Sequence, residues 1–281
     1  MRFSSSHHLW GFPLRSDLMA KIYDIHAFES HLVARGLAEN SVKAFVSDVR
    51  QFLNSNLDPE SYLEDLKRKG CTNSTLMRKR ASLINYYKFK EESINLAPIR
   101  VDQVLPFVLT QPEAKALLEE ASRTRNPKRD RLIVELMLRA GLRLAEVLGL
   151  TAGDVIEDNG ITFIIVRHTK GKRDRRIPIV DKSLVKLLRG YIRGIPPEDP
   201  LFEISRRRVE LLVRDLAHKA GIKKPIHPHT LRHTAATLYL KNGTNIESIR
   251  RMLGHASLST TQKYLQLTDE EVAKDLSSAN W

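Results

Sequence analysis

The sequence predicts a mainly α protein with one small β-hairpin, an α+β chain of two domains. Apolar residues recur at helical spacing along most of its length, as at Ile25, Phe28 and Leu32. One pair of β-branched runs, Thr162 to Arg167 and Arg176 to Val180, flanks a cationic connection and reads as a hairpin. Between two sets of helices, Ile94 to Leu109 carries Pro98 and Pro106 and has no helical period, so it reads as an extended linker.

Composition bounds the function. The chain has 281 residues, 42% of them hydrophobic, enough for one large or two ordinary cores. Lys and Arg number 46 against 33 Asp and Glu, a net charge of +13, which points to a polyanionic partner, nucleic acid before anionic membrane. Cys71 is the single cysteine, so an intrachain disulfide and a thiolate zinc site are excluded, and a reducing cytoplasm is expected. No apolar run approaches the ~20 residues of a membrane span, so no membrane association is expected. Met1 to Ala20 lacks an apolar signal core and is expected to be a flexible extension.

The first domain is expected over residues 21–95, as four or five short helices. Ile25, Phe28, Leu32 and Leu37 line the first, with Gly36 as its stop. Asn40 or Ser41 caps the second, with Val42, Phe45, Val49, Phe52 and Leu53 as its stripe. After a turn at Asn54 to Pro59, Tyr62 to Lys69 forms a third, closed by Gly70. Thr72 or Asn73 opens a fourth, Ser74 to Glu91. Exposed cations on this bundle, Lys43 and the run Arg78, Lys79 and Arg80 among them, are candidate phosphate contacts, against the plainer reading of a solvated face.

After a linker at 96–109, Thr110-Gln-Pro-Glu113 is a helix start, with Thr as cap and Glu at the third helical position. An apolar helix from Asp130 to Leu138 follows. Gly141 stops it, and Arg143 stands at the start of the next, inside an apolar frame. Arginine is rare in such a frame unless paired. Two readings stay open: an ion pair with Glu146, three residues on, or a guanidinium fork aimed at a phosphate. The hairpin tip carries Lys170, Gly171 and Lys172, cations for phosphate contact or a solvated turn. Arg206 and Arg207 crowd a helix N-terminus, where the macrodipole disfavours positive charge and an external anion would relieve it.

The last third is the densest in chemistry. Pro228 precedes His229, and Thr230 to Leu240 forms a helix on which His229 and Arg232 are neighbours. His227, His229 and His233 are poorly spaced for tetrahedral ligation, so no metal is expected. Ile246 to Leu253 is another amphipathic helix. Gly254 terminates it and delivers His255, and Tyr264 follows on a short helix of its own.

These pieces resemble the tyrosine recombinase (integrase) family. The matching stretches are A-G-L-R-L-A-E around Arg143, T-K-G-K-R around Lys170, H-P-H-T-L-R-H with His229 and Arg232, L-G-H-A-S with His255, and S-T-T-Q-K-Y ending at Tyr264. The likeness runs from about Ile22 to the end, and is closest to the Xer group, its single-protein archaeal kind above all. It implies a C-shaped clamp of an N-terminal helical core-binding domain and a catalytic domain at 110–268, then a C-terminal helix at 269–281 for subunit contacts. It implies a catalytic set of Arg143, Lys170, His229, Arg232, His255 and the nucleophile Tyr264, with Lys172 as the rival for the general acid. It implies double-stranded DNA as partner at a recombination site, a homotetramer on that DNA with a monomer or dimer when free, and no cofactor. Chromosome-dimer resolution is the expected role; integration of a mobile element, or DNA binding without catalysis, are the alternatives.

Overall fold

A computed structural model describes residues 15–100, 107–167 and 174–254. Its backbone divides into two units, Met1–Val104 and Leu105–Trp281. Among the described residues the chain is mostly helical, with one three-stranded antiparallel sheet.

The first unit contains α1 (Arg15–Ala34), α2 (Glu39–Ser55), α3 (Pro59–Arg68) and α4 (Asn73–Phe89). The first helix starts before Ile22, so part of the expected flexible extension is helical. Ile25, Phe28 and Leu32 of α1 pack on Val42, Val46 and Val49 of α2 and Tyr86 of α4. Phe28 and Tyr86 meet edge to face, 5.4 Å apart. Asp58 caps α3 by accepting from the N–H groups of Glu60 and Ser61, and Thr72 caps α4. Helix α2 begins after Ala38 without a side-chain cap, not at Asn40 or Ser41.

The run Arg78-Lys79-Arg80 is not the exposed strip the sequence predicts. Lys79 is only 5% exposed and donates to Asp48 (3.1 Å) and Gln51 (2.8 Å). Its place on the inner face of α4 follows from Asp48, a carboxylate on the buried stripe of α2 that demands a cation. Arg78, half-exposed, binds the same carboxylate. Arg80 donates to the carbonyls of Leu96 and Ala97 and pins the chain that follows α4. Only Lys43 of the four is well exposed, paired with Glu39 at 2.6 Å.

The second unit is built on α6 (Pro127–Leu138), whose Leu132, Ile133, Val134, Leu136 and Met137 are fully buried. Around it lie α5 (Gln111–Ala121), α7 (Leu144–Leu148), α8 (Lys182–Ile192), α9 (Arg206–Lys219), α10 (Pro228–Lys241) and α11 (Ile246–Leu253). Thr110 and Glu113 form the expected capping box on α5. The sheet runs in the order β1 (Val155–Asp158), β2 (Ile161–Val166), β3 (Arg175–Ile179). Strand β1 is not anticipated by the sequence reading; it is four residues long and pairs with β2 across a left-handed Asn159-Gly160 turn. Ile164 and Ile177 face each other across β2 and β3 and enter the core.

Candidate active site

Three arginines, Arg143, Arg175 and Arg232, meet at the C-terminal end of α11, and local chain features explain how. Gly141 closes the stretch after α6 at φ 62°. A Cβ there would stand 2.7 Å from the Leu253 side chain, so glycine lets α11 close onto this turn. Arg143 follows as the cap residue of α7, its N–H donating to the Glu146 carboxylate at 2.7 Å. His227 caps α10, its ring nitrogen 2.6 Å from the Thr230 hydroxyl, and Pro228 occupies the first turn. Pro228 therefore starts the helix rather than preceding it, and His229 and Arg232 lie within its first turns.

Arg143 and Arg232 come from segments about ninety residues apart and converge on one carbonyl. Both donate to the Leu253 oxygen, Arg143 at 3.5 Å and Arg232 by a short contact. Arg232 is 3% exposed and also donates to the Gly141 carbonyl at 2.6 Å. Two guanidinium groups that reach one oxygen atom are close enough to share one phosphate.

Glu146 is their common counter-charge. Its oxygens lie 2.8 Å from Arg143 and 3.7 Å from Arg232. Both readings of Arg143 therefore meet in one place: it is paired with Glu146 and still directed at the convergence point. A third guanidinium, Arg175 of β3, binds Glu146 through two hydrogen bonds, 2.9 and 2.8 Å. Burial raises the Glu146 pKa, but the hydrogen bonds of Arg175 and Arg143 and the charge of Arg175 outweigh it and hold it at about 2.

In the sequence Arg175 falls at the end of the cationic connection, just before the second expected strand of the hairpin. Its signal was the alternation of β3, in which Arg175 shares the inward phase of the buried Ile177 and Ile179.

His229 lies on the exposed side of this cluster. Loss of solvent around the ring and the positive charges of Arg232, His227, Arg143 and Arg206 lower its pKa below the ordinary histidine value. The neutral imidazole that results can accept a proton. Arg206, at the exposed start of α9, is thus near enough to be felt at His229; Arg207 beside it is exposed as well. Lys170, Lys172, His255 and Tyr264 lie outside the described residues. Among the described residues no group of three or more His, Cys, Asp or Glu side chains could hold a metal ion. No described helix is long and apolar enough to cross a membrane.

Comparison with known proteins adds a family and a fold. Residues 108–271 match the model of the phage integrase family. A tyrosine recombinase, XerA, of Thermococcus kodakarensis is 35% identical over 89% of this chain and 93% of its own length. The crystal structure of a XerA recombinase superposes with a TM-score of 0.53 at 29% identity, covering 92% of this chain and all of the other. A XerH site-specific recombinase bound to a palindromic difH substrate, at 20% identity, shares the fold with a TM-score of 0.69 over 95% of this chain and 89% of its own.

Proposed function

The chain belongs to the phage integrase family of tyrosine recombinases, and from that premise we propose that it cuts and rejoins double-stranded DNA at a recombination site through a 3′-phosphotyrosyl link. The observation that carries this reading is the convergence of Arg143 and Arg232 on the Leu253 carbonyl, with His229 on the helix of Arg232.

A phosphodiester gathers negative charge on its nonbridging oxygens as a fifth ligand arrives. Arg143 and Arg232 hold those oxygens, and His255 donates to them as well. Tyr264 is the nucleophile. A free phenol has a pKa of about 10, so its proton must leave as it attacks, and His229, kept neutral by its surroundings, takes it. Lys170 protonates the departing 5′ oxygen as general acid, with Lys172 as the rival for that role. The phosphotyrosyl link conserves the energy of the broken ester, so religation to a new strand needs no cofactor.

The catalytic domain spans residues 110–268 and the DNA-clamping helical domain residues 21–95, joined by the linker at 96–109. Lys43, Arg206 and Arg207 contact DNA phosphates. The active form is a homotetramer on DNA, the helix at 269–281 docking on a neighbouring subunit. Chromosome-dimer resolution in the cytoplasm is the role, supported by relatives of the Xer type over nearly the whole chain.

A nicked suicide DNA tests the chemistry. The native chain forms a covalent protein–DNA adduct, and Tyr264→Phe forms none; adduct persisting in that variant moves the nucleophile elsewhere. Lys170→Ala and Lys172→Ala on DNA with a 5′-bridging sulfur identify the acid, since only its loss is rescued by the better leaving group.

A further inference from the structure

We propose that the exposed face of α8 is a second surface for duplex DNA, apart from the candidate active site. This goes beyond the strand-transfer reading and rests only on duplex DNA being the partner.

Sequence and helix geometry make the surface. Lys182, Lys186 and Arg189 of α8 and Arg193 at its C-cap follow one another at steps of four, three and four residues, so they share one face, and all four are exposed. The row spans about 16 Å of helix axis. On α6, Lys128 and Arg131 line the gap to α8 and extend the same charge. Two grooves flank α8. Ile161, Ile179, Lys182, Lys186 and Arg189 help line one, and Lys128, Arg131, Lys186 and Tyr191 help line the other; neither lining holds an acidic residue. Arg189 and Arg131 have carboxylate partners, Glu157 at 2.7 Å and Glu135 at 3.3 Å. Lys128, Lys182, Lys186 and Arg193 pair with no carboxylate among the described residues.

Like charges three and four residues apart repel along a helix, and Lys182, in the first turn, opposes the macrodipole. The arrangement weakens α8, and a facing polyanion offsets that. A straight cationic row suits a backbone that repeats its negative charge every ~3.4 Å along each strand. A helix standing between two grooves can also enter a DNA major groove.

This surface is not the active site. Strand β3 links the two: Arg175 at its start belongs to the arginine cluster, and Ile179 at its end lines a groove beside α8. Four strand steps put roughly 13 Å between them. Neither groove is lined by Arg143, Arg175, His229 or Arg232.

The number of duplexes bound per chain tests this, by sedimentation at low salt with duplex DNA too short to hold two chains. The native chain is expected to hold one duplex more than the Lys182→Gln/Lys186→Gln/Arg193→Gln variant, and the salt slope for the extra duplex corresponds to about three phosphate contacts. Cleavage of nicked DNA by the folded variant stays within about twofold of native, because one duplex still reaches the active site. An equal count for native and variant chains overturns the proposal and leaves the row to an acidic protein or to solvent. Cleavage lost together with the extra duplex also overturns it, since α8 would then hold the duplex being cut. If the native chain forms no adduct, the strand-transfer reading fails by itself, and the count still decides the α8 surface. Glutamine is close to lysine and arginine in helix propensity, so the fold is expected to persist. Should the triple variant not melt cooperatively, Lys182→Gln/Lys186→Gln decides: it weakens the extra duplex at least about tenfold, and native affinity overturns the proposal.

Discussion

His229 owes its chemistry to its neighbours. An imidazole among Arg232, His227, Arg143 and Arg206, and partly shielded from water, holds a proton less readily than a free one. The base form therefore persists below the ordinary histidine value, and the acid limb of the cleavage rate is expected below pH 6.5. His229→Gln, which accepts a hydrogen bond but not a proton, flattens that limb and lowers the plateau by about 10²–10⁴-fold. Rates of adduct formation between pH 5 and 8 on native and variant chains check both; an acid limb centred above pH 6.5 contradicts the assignment. Arg232→Lys tests the fork itself. Lysine supplies one charge but cannot donate to both the Gly141 and Leu253 carbonyls in a plane, so cleavage is expected to fall about 10²-fold or more in kcat.

Elements place these side chains through their ends. Helix α11 stops at Gly254 in a left-handed conformation, and its last carbonyls, Met252 and Leu253, are the oxygens on which the three arginines converge. Helix C-termini carry partial negative charge, which suits that crowd of cations. Gly254→Ala puts a Cβ into the Arg175 guanidinium and strains φ, so a loss of roughly 1–2 kcal/mol in stability is expected, with slower cleavage than the stability loss explains. Thermal melts beside cleavage rates measure the two separately. By contrast, Thr110→Ala breaks only the capping box of α5, and is expected to cost about 1 kcal/mol while leaving the rate per folded molecule unchanged.

Acid response and salt response belong to the molecule as a whole. Glu146 ionises near pH 2 when folded and near 4.5 when free, so its stabilising contribution is complete above about pH 4.5 and is lost as pH falls toward 2. The shift corresponds to roughly 3 kcal/mol. Glu146→Gln is therefore expected to be less stable than the native chain at neutral pH, by a margin that closes between pH 4.5 and 2; denaturant titrations across that range read it directly. DNA affinity is expected to fall steeply with salt, as the net charge of +13 requires. Arg206→Ala should reduce the salt slope by about one contact, whereas Lys79→Met should leave the slope alone and destabilise its bundle, because Lys79 serves the buried Asp48.

Periodicity and local end signals alone determined most helices, the Thr110 capping box and the stops at Gly36, Gly141 and Gly254. Those are short-range effects, set by residues within a turn of one another. Motif spacing likewise marked Arg143, His229 and Arg232. Tertiary structure decided what lies beyond that range. Lys79 turned inward because a carboxylate on another helix needed it, and β1 formed because a neighbouring strand was there to pair with it. Arg175 became part of the site because Glu146, twenty-nine residues earlier in the chain, lies across from it. A charge or a strand edge is satisfied by whichever group the fold brings near, and no local window of the sequence contains that partner.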